Sequence, residues 1–565
     1  MMPALRFSRV FLLFVSALSF NLLAQTPPKE GAATIAGVVT LNGEPMRNVV
    51  VTVQAINSYG SSQPVPPRAK TDANGRFRIA GIAAGQYTIG ALASAFVTEG
   101  NQLNQSGFGI QGKTISVANG ETIENLELTL KRGCVITGRV TGASGEPLIE
   151  TTIQLSQINS AGQSTPWRPP MNTVSSSMMY RTDDRGVYRI YGLPPGKYKV
   201  SVGVPVRANA FTMRTSRTYI PETFHPDTND EALAKVIELE EGQEASDVDI
   251  KAAEAVKAYE ISGRVVDAET GQPVAGTSLA FGTFNQDGRM MGYTSGARTD
   301  AKGEFQILGA RPGRHGIFIE NREGKTDFYS EPAAVEIIDS DVAGVEVRAR
   351  HGVSISGTVV IEGTNDPAVL AKRSQISLEA SFSSTAAFTG ARTGKVGADG
   401  SFRVVGLPPG KVRLSGYSQL FKASLLRVER NGVPLKTREF EIRPGEQVKD
   451  IRIVYGYGDG IVRGQVKIIG AELPEGIRLS VNLRRTENHT FGLVPALLDE
   501  RRHFIIKDLV PGQYEVRLQY GVTGKPTNEM VTKIFPRLAA VKQLVTVSDG
   551  IETQTTLTVD LSQEK

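Results

Sequence analysis

The chain is poor in the residues that most protein chemistry uses. Cys134 is the single cysteine among 565 residues, so no disulfide can form within the chain and its folding must rest on hydrophobic cores. Five histidines, His225, His315, His351, His489 and His503, are scattered without metal-ligand spacing; they read as surface or turn residues, and a multi-histidine metal centre is unsupplied. No Gly-x-Ser-x-Gly elbow occurs, and Cys134 at the mouth of a strand reads as a small buried hydrophobe rather than a nucleophile. Basic doublets such as Lys131-Arg132, Arg484-Arg485 and Arg501-Arg502 never extend to a run of five or more, and no aromatics interleave them, so nucleic acid is not an expected partner. The formal net charge of +5 falls to about +3 once Arg6 and Arg9 are set aside.

Those two arginines precede the apolar stretch Val10 to Phe20 and then Ala24, the pattern of a secretory signal peptide over residues 1–24. Its apolar core is short for a bilayer span, no cysteine follows it for a lipid anchor, and no later stretch approaches 18 uninterrupted apolar residues. The expectation is export to the periplasm or the medium, with no transmembrane segment in the mature chain. A hydrophobic content of 40% with 59 glycines and 29 prolines describes folded, turn-rich modules, and the length requires several of them.

One pattern recurs five times at intervals of about 100 residues, the size of a β-sandwich. Each copy opens on a strand with a central glycine, Gly37, Gly138, Gly263, Gly357 or Gly464, on the strand's apolar face, where the missing side chain lets another backbone approach. A polar turn follows: Thr71-Asp72-Ala73-Asn74-Gly75, Thr182-Asp183-Asp184-Arg185-Gly186, Thr299-Asp300-Ala301-Lys302-Gly303 and Ala398-Asp399-Gly400, decayed in the last copy to Asp499-Glu500-Arg501-Arg502. Aspartate capping accounts for these turns without calcium, whose alternating ligand series is missing. Next comes Leu193-Pro194-Pro195-Gly196 or its equivalent, ending at Gly85, Gly313, Gly410 and Gly512 in the other copies, and read as a type II turn. Strict alternation after it, as in Tyr514, Val516, Leu518 and Tyr520, gives a half-buried strand. Helix is nearly absent; Glu231 to Glu238 and Ala252 to Ala258 could each form a turn or two. The sandwiches are expected at residues 30–132, 133–254, 255–350, 351–457 and 458–565, with linkers so short that an extended, semi-rigid rod is expected.

The Gly-Arg-Val opening, the Thr-Asp-x-x-Gly-x-Phe turn and Leu-Pro-Pro-Gly-Lys-Tyr before a strand resemble the carboxypeptidase regulatory-like domain. The resemblance implies an all-β fold, a tandem array of five Ig-like or transthyretin-like sandwiches after the signal peptide, related in shape to carbohydrate-binding-like folds. The segment Thr218 to Thr228 resembles an insertion in exported members from soil bacteria such as Acidobacteria. The catalytic domain of the namesake zinc carboxypeptidases is missing, and no His is followed three residues on by the Glu their metal motif requires.

Gly107-Phe108-Gly109-Ile110-Gln111-Gly112-Lys113-Thr114 matches the P-loop letter for letter, but the residues after it alternate like a strand where phosphate chemistry needs a helix. No catalytic residue, cofactor or metal is therefore expected. Binding has better candidates: Trp167, the only tryptophan, in a proline-stiffened loop where a rigid ring could stack on a sugar, with Tyr219 and Phe224 in the second long insertion of the same copy. The same rings could instead pack beneath their own loops. The expected function is a non-catalytic, extracytoplasmic binding or scaffold protein, with carbohydrate as the favoured ligand class. Its rivals are a spacer or adhesin binding an envelope protein, and, behind it, an accessory subunit of a peptidase.

Overall fold

In the computed structural model, residues 33–562 are described apart from 57–66, 94, 100–111, 160–161, 168–179, 205–216, 286, 322–323, 325, 384–388, 418–422, 488–493 and 523. The leading segment thus lies outside the described residues, as do residues 107–111 of the P-loop match. Five β-sandwiches follow one another, each with its own buried apolar cluster.

One plan serves all five. The opening strand, Ala33–Leu41, Cys134–Thr141, Tyr259–Asp267, Val353–Glu362 or Gly460–Ile469, lies between two neighbours of its sheet. On one side it pairs antiparallel with the strand that follows the Asp turn; on the other it pairs parallel with the closing strand of the same copy. The facing sheet is built around the strand that starts at Gly85, Gly196, Gly313, Gly410 or Gly512. Both recurring turns therefore carry the chain from one sheet to the other.

The opening glycine is explained by what stands over it. In the first four copies a Cβ would overlap a backbone carbonyl, that of Leu126, Val248, Val345 or Ile451. Each of these follows a positive-φ residue, Asn125, Asp247, Gly344 or Asp450, so the closing strand bulges and drives its carbonyl into the space a side chain would need. The fifth copy differs. Its closing strand, Glu552–Asp560, runs in unbroken register, and Gly464 makes room for the ring of Phe504 and the methyl of Thr555.

The Asp turns bear out their capping role. The Oδ1 of Asp72, Asp183 and Asp300 each accepts two backbone N–H groups, at 2.8–2.9 Å. The preceding threonine, buried each time, donates its hydroxyl to the carbonyl of Met46, Leu148 or Val274 and accepts the N–H of Val49, Thr151 or Thr277. The Pro-Gly expectation needs correction. The glycines at 85, 196, 313, 410 and 512 have φ between 126° and 157° and begin a strand, whereas a type II turn holds φ near +80°. The turn-like φ falls four residues earlier, on Gly81, Gly192, Gly309, Gly406 and Asp508 (φ 59–80°), at a bulge in the preceding strand. Two residues after the strand-opening glycine, Tyr87, Tyr198 and Tyr514 donate their hydroxyls back to the carbonyls of Ala83, Pro194 and Val510 at 2.7–2.8 Å, pinning the corner. His315 takes that place in the third copy, its Nε2 2.7 Å from the carbonyl of Arg311. It is buried, as is His225, rather than lying at the surface. Residues Val256–Lys257 are extended, not helical, and a π-helical turn, Met530–Ile534, running into the helix Phe535–Ala540 went unforeseen.

Gly138→Ala is expected to destabilise the second sandwich by roughly 3 kcal/mol, because backbone cannot yield as a side chain can. Gly464→Ala should be rescued by Phe504→Leu, whereas no single side-chain change restores Gly138→Ala; calorimetric melting of the whole chain checks both.

Candidate functional site

A closing strand that pairs with one neighbour leaves the N–H and C=O groups of its other edge exposed, and such an edge invites another strand. In three copies the chain covers it with an antiparallel strand of its own: Phe96–Thr98 on Thr122–Arg132, Phe328–Tyr329 on Val342–His351, and Ala423–Arg430 on Gln447–Tyr457. In the second copy the insertion does this work. Pro226 offers its carbonyl to the N–H of Lys251 at 3.0 Å, His225 donates from Nδ1 to the carbonyl of Asp249, and Thr223 accepts the N–H of Ala253 at 3.1 Å.

The same covering segments build the joints between sandwiches. Ala95, just before the first cover strand, accepts the N–H of the linker residue Gly133 at 2.9 Å, and a Cβ on Gly133 would meet Gly192 of the second sandwich. Beside the second insertion, Arg217 accepts the N–H of Ala258 at 2.7 Å and pairs with Glu260 at 2.6 Å and Asp341 at 3.3 Å in the third sandwich. Asp327 accepts the N–H of Gly352 at 2.7 Å, and Gly352 lies against Gly406 of the fourth. At the fourth joint a Cβ on Gly458 would strike Leu509 and Val510 of the fifth. Third and fourth are also joined by apolar surface: Ala280 and Phe318 are buried in the cluster of the fourth core.

Ion pairs hold the longest cover strand. Arg427 pairs with Glu362 and Glu429 at 2.6 Å, and Arg452 reaches Glu429 at 3.0 Å. The Arg427 guanidinium holds the Glu362 carboxyl below its ordinary value. Burial works to raise Glu429, yet its hydrogen bonds from Arg427 and Arg452 prevail and lower it.

The chain also meets itself end to end. Asp499, 5% exposed, accepts the N–H of Ser116 at 3.2 Å, and Arg501 donates to the carbonyl of Ser116 at 2.7 Å. Glu121 binds Arg501 at 3.1 Å and Arg463 at 3.4 Å, Lys113 pairs with Glu500 at 3.0 Å, and Gln86 brackets Leu497 through both its amide atoms. First and fifth sandwiches are thus in contact, and the expected extended rod is a closed circuit instead. Short linkers fix an angle at each joint, and the angles sum to closure. Lys113 and Thr114 of the P-loop match start a strand at this contact, and a Cβ on Gly112 would overlap the carbonyl of Ile89, so strand packing accounts for the described part of that motif.

The three aromatic candidates stand in three settings. Trp167 is half-buried against the second core, edge-on to Tyr198 with ring centroids 6.3 Å apart. Tyr219 lies at the joint with the third sandwich, where Arg311 sits over its ring at 5.9 Å. Phe224, 6% exposed, is in a two-residue strand paired with Ser201 and Val202. Cys134 is fully buried with Sγ 2.9 Å from the carbonyl of Glu240, and burial raises its thiol above the ordinary value. Among the described residues no three His, Cys, Asp or Glu side chains group to hold a metal, and no helix is long and apolar enough to cross a membrane. An open groove of about 400 Å³ lies on the fifth sandwich between Leu473, Ile477 and Leu498; its one buried carboxylate, Asp499, is already engaged at the closure.

The cover segments, the bulge glycines and the closure escaped the sequence reading. Of these, only the glycines left a signal there, a fixed spacing of four residues between the bulge and the strand-opening glycine in four copies.

The first sandwich is a match to the carboxypeptidase regulatory-like domain, over residues 34–131. The other four sandwiches repeat its strand plan, and the chain is an all-β array of five sandwiches. No curated protein matches the sequence. Similar solved structures include a streptococcal ancillary pilin (12% identity, 56% of this chain and 98% of that one, TM-score 0.23). Others are the Bacillus cereus major pilin BcpA (11%, 56% and 99%, 0.12) and the shaft pilin SpaA of Lactobacillus rhamnosus GG (10%, 39% and 98%, 0.16).

Two outcomes follow from the ion pairs. Because the Glu362 and Glu429 carboxyls are lowered, the stability they lend is present above the ordinary value of 4.5 and lost as pH falls through their folded values. Hydrogen exchange of residues 423–430, corrected for intrinsic rates, should therefore quicken below pH 4.5, and Glu362→Gln should flatten that dependence. Screening lengths shrink to about 3 Å in 1 M salt. Small-angle scattering should accordingly show the chain expanding with salt, and Glu121→Ala expanding it already at low salt; equal dimensions throughout would mean that the closure does not rest on these pairs.

Proposed function

We propose that the protein is an exported, non-catalytic scaffold of the cell envelope, adhesin-like in working through protein contacts. The observation that carries this reading is how fully the recurring polar residues are engaged: threonines and aspartates in turns, tyrosines in corners, arginines and glutamates in joints. Among the described residues these groups are taken up by the fold, and the leading segment's signal pattern supports export. Carbohydrate, the ligand class first favoured, would require the Trp167 ring to offer an open face. Its edge-on packing against Tyr198, itself fully buried, favours a lid over the second core.

Trp167→Ala is expected to cost roughly 2–3 kcal/mol, seen as a lower melting transition of the second sandwich. In gels containing plant or bacterial polysaccharides, wild type and variant should migrate alike. Retardation of the wild type, lost in a variant of unchanged stability, would restore the sugar reading.

A further inference from the structure

The fifth sandwich breaks the rule that the other four follow. Its closing strand, Glu552–Asp560, pairs with Gly460–Ile469 and, among the described residues, with no other strand. Where other copies place a cover strand, between the strand opened by the Gly following Pro and the last strand of the facing sheet, the fifth has the helical segment Met530–Ala540. Leu538 is fully buried and Phe535 stacks on Tyr520, so the segment plugs the core beside the edge without supplying strand hydrogen bonds.

The direction of the free groups follows from two hydrogen bonds. Ile461 donates to the carbonyl of Ile551, and Leu561 donates to the carbonyl of Ile469. Odd-numbered residues therefore face the opening strand. The N–H and C=O groups of Gln554, Thr556 and Thr558 point out from the sheet edge, and all three residues are exposed.

Edges that must stay single are normally bulged, charged, short or interrupted by proline. This one has none of those protections: nine residues long, it lacks the bulge of its four counterparts and bears no charge, glycine or proline between Glu552 and Asp560. Arg537 stands near Asp560 at one end of the edge, and among the described residues no second strand pairs with the stretch from Gln554 to Thr558.

We propose that this edge is a docking site for an extended segment of another protein, added antiparallel as a fourth strand. Antiparallel is the direction of all three intramolecular cover strands. A second copy's closing strand fits poorly. In full antiparallel register Glu552 would face Asp560 at both ends, and like charges directly opposed destabilise a pair. The segment that fits is β-branched or aliphatic on the side facing the helical plug and carries basic residues near its ends. Ala423–Arg430, with Leu425, Val428 and two arginines in its C-terminal half, which antiparallel addition would set toward Glu552, matches this chemistry at that end and fills the equivalent edge of the fourth sandwich. The proposal deepens the scaffold reading by naming where a protein partner attaches, and it rests on that reading.

The probe is a fluorescent synthetic peptide of the sequence Ala423–Arg430, titrated into the full chain and followed by anisotropy, with a scrambled proline-containing peptide as control. Saturable binding is expected, weakened about tenfold or more by Thr556→Pro, which removes one outward N–H and leaves the odd-numbered ladder intact. Melting should be unchanged in that variant, and bound peptide should slow hydrogen exchange at residues 552–560. Absence of binding, or binding indifferent to Thr556→Pro at unchanged stability, would overturn the proposal. So would a concentration-dependent dimer of the chain lost in the same variant, which would assign the edge to a second copy. The scaffold reading fails on different evidence, polysaccharide retardation or hydrolytic activity, so the two failures cannot be confused.

Discussion

The backbone edge of the closing strand is the constraint on which this architecture turns. A parallel closing strand satisfies half of its hydrogen-bonding groups against the opening strand, and the other half must find protein, water or a partner. Covering that edge with a segment of the same chain satisfies the groups, and it also places the segment at the rim of its sandwich, next to the linker. The residues beside the cover then meet the linker, as Ala95 meets Gly133 and Asp327 meets Gly352, and each of these linker glycines lies against the bulged corner of the following sandwich. Edge protection and joint construction are one device. It also explains the glycines: at a joint made from backbone against backbone, Gly133 beside Gly192 and Gly352 beside Gly406 have no volume for a Cβ of their own.

A joint of this kind has a direction as well as a strength. The first three joints are made through hydrogen bonds whose geometry tolerates little rotation and the fourth through close backbone packing at Gly458, and between the third and fourth sandwiches a shared apolar surface around Phe318 removes still more freedom. Four joints determine where the last module lands. It lands against the first, where a set of ion pairs and the Gln86–Leu497 bracket complete the circuit. That contact is polar, and partly exposed ion pairs add little stability each. The covalent joints set the path, and the closure selects one end of it.

Much of this was legible in the sequence wherever a residue type acts locally. Asp72, Asp183 and Asp300 cap their own turns, and the opening glycines announce close backbone approach because nothing else at an apolar strand position would favour glycine. What escaped was non-local. The carbonyl over Gly138 belongs to a strand about a hundred residues away, and it arrives there only because Asp247 adopts positive φ, which nothing in its neighbours requires. The helix at 535–540 was hidden by its brevity and by Pro536, and its role is visible only when the fifth copy is laid beside the others. Trp167 was ambiguous for a different reason. A proline-rich loop describes stiffness, not which way a ring faces, and Tyr198, the ring that Trp167 meets edge-on, lies thirty-one positions on.

Repetition within one chain supplies a comparison that a single sandwich cannot. Four copies establish what an edge needs, and the fifth, lacking it, becomes informative by contrast. Loss of a cover strand alone would leave a kinked edge, and loss of the bulge alone a straight but covered one. Their joint absence produces a long, straight edge with no charge between Glu552 and Asp560. The helical plug fits the same logic. It seals the core against water, so the sandwich holds together with its edge open, and the cost of keeping that edge open is confined to backbone groups that water can satisfy.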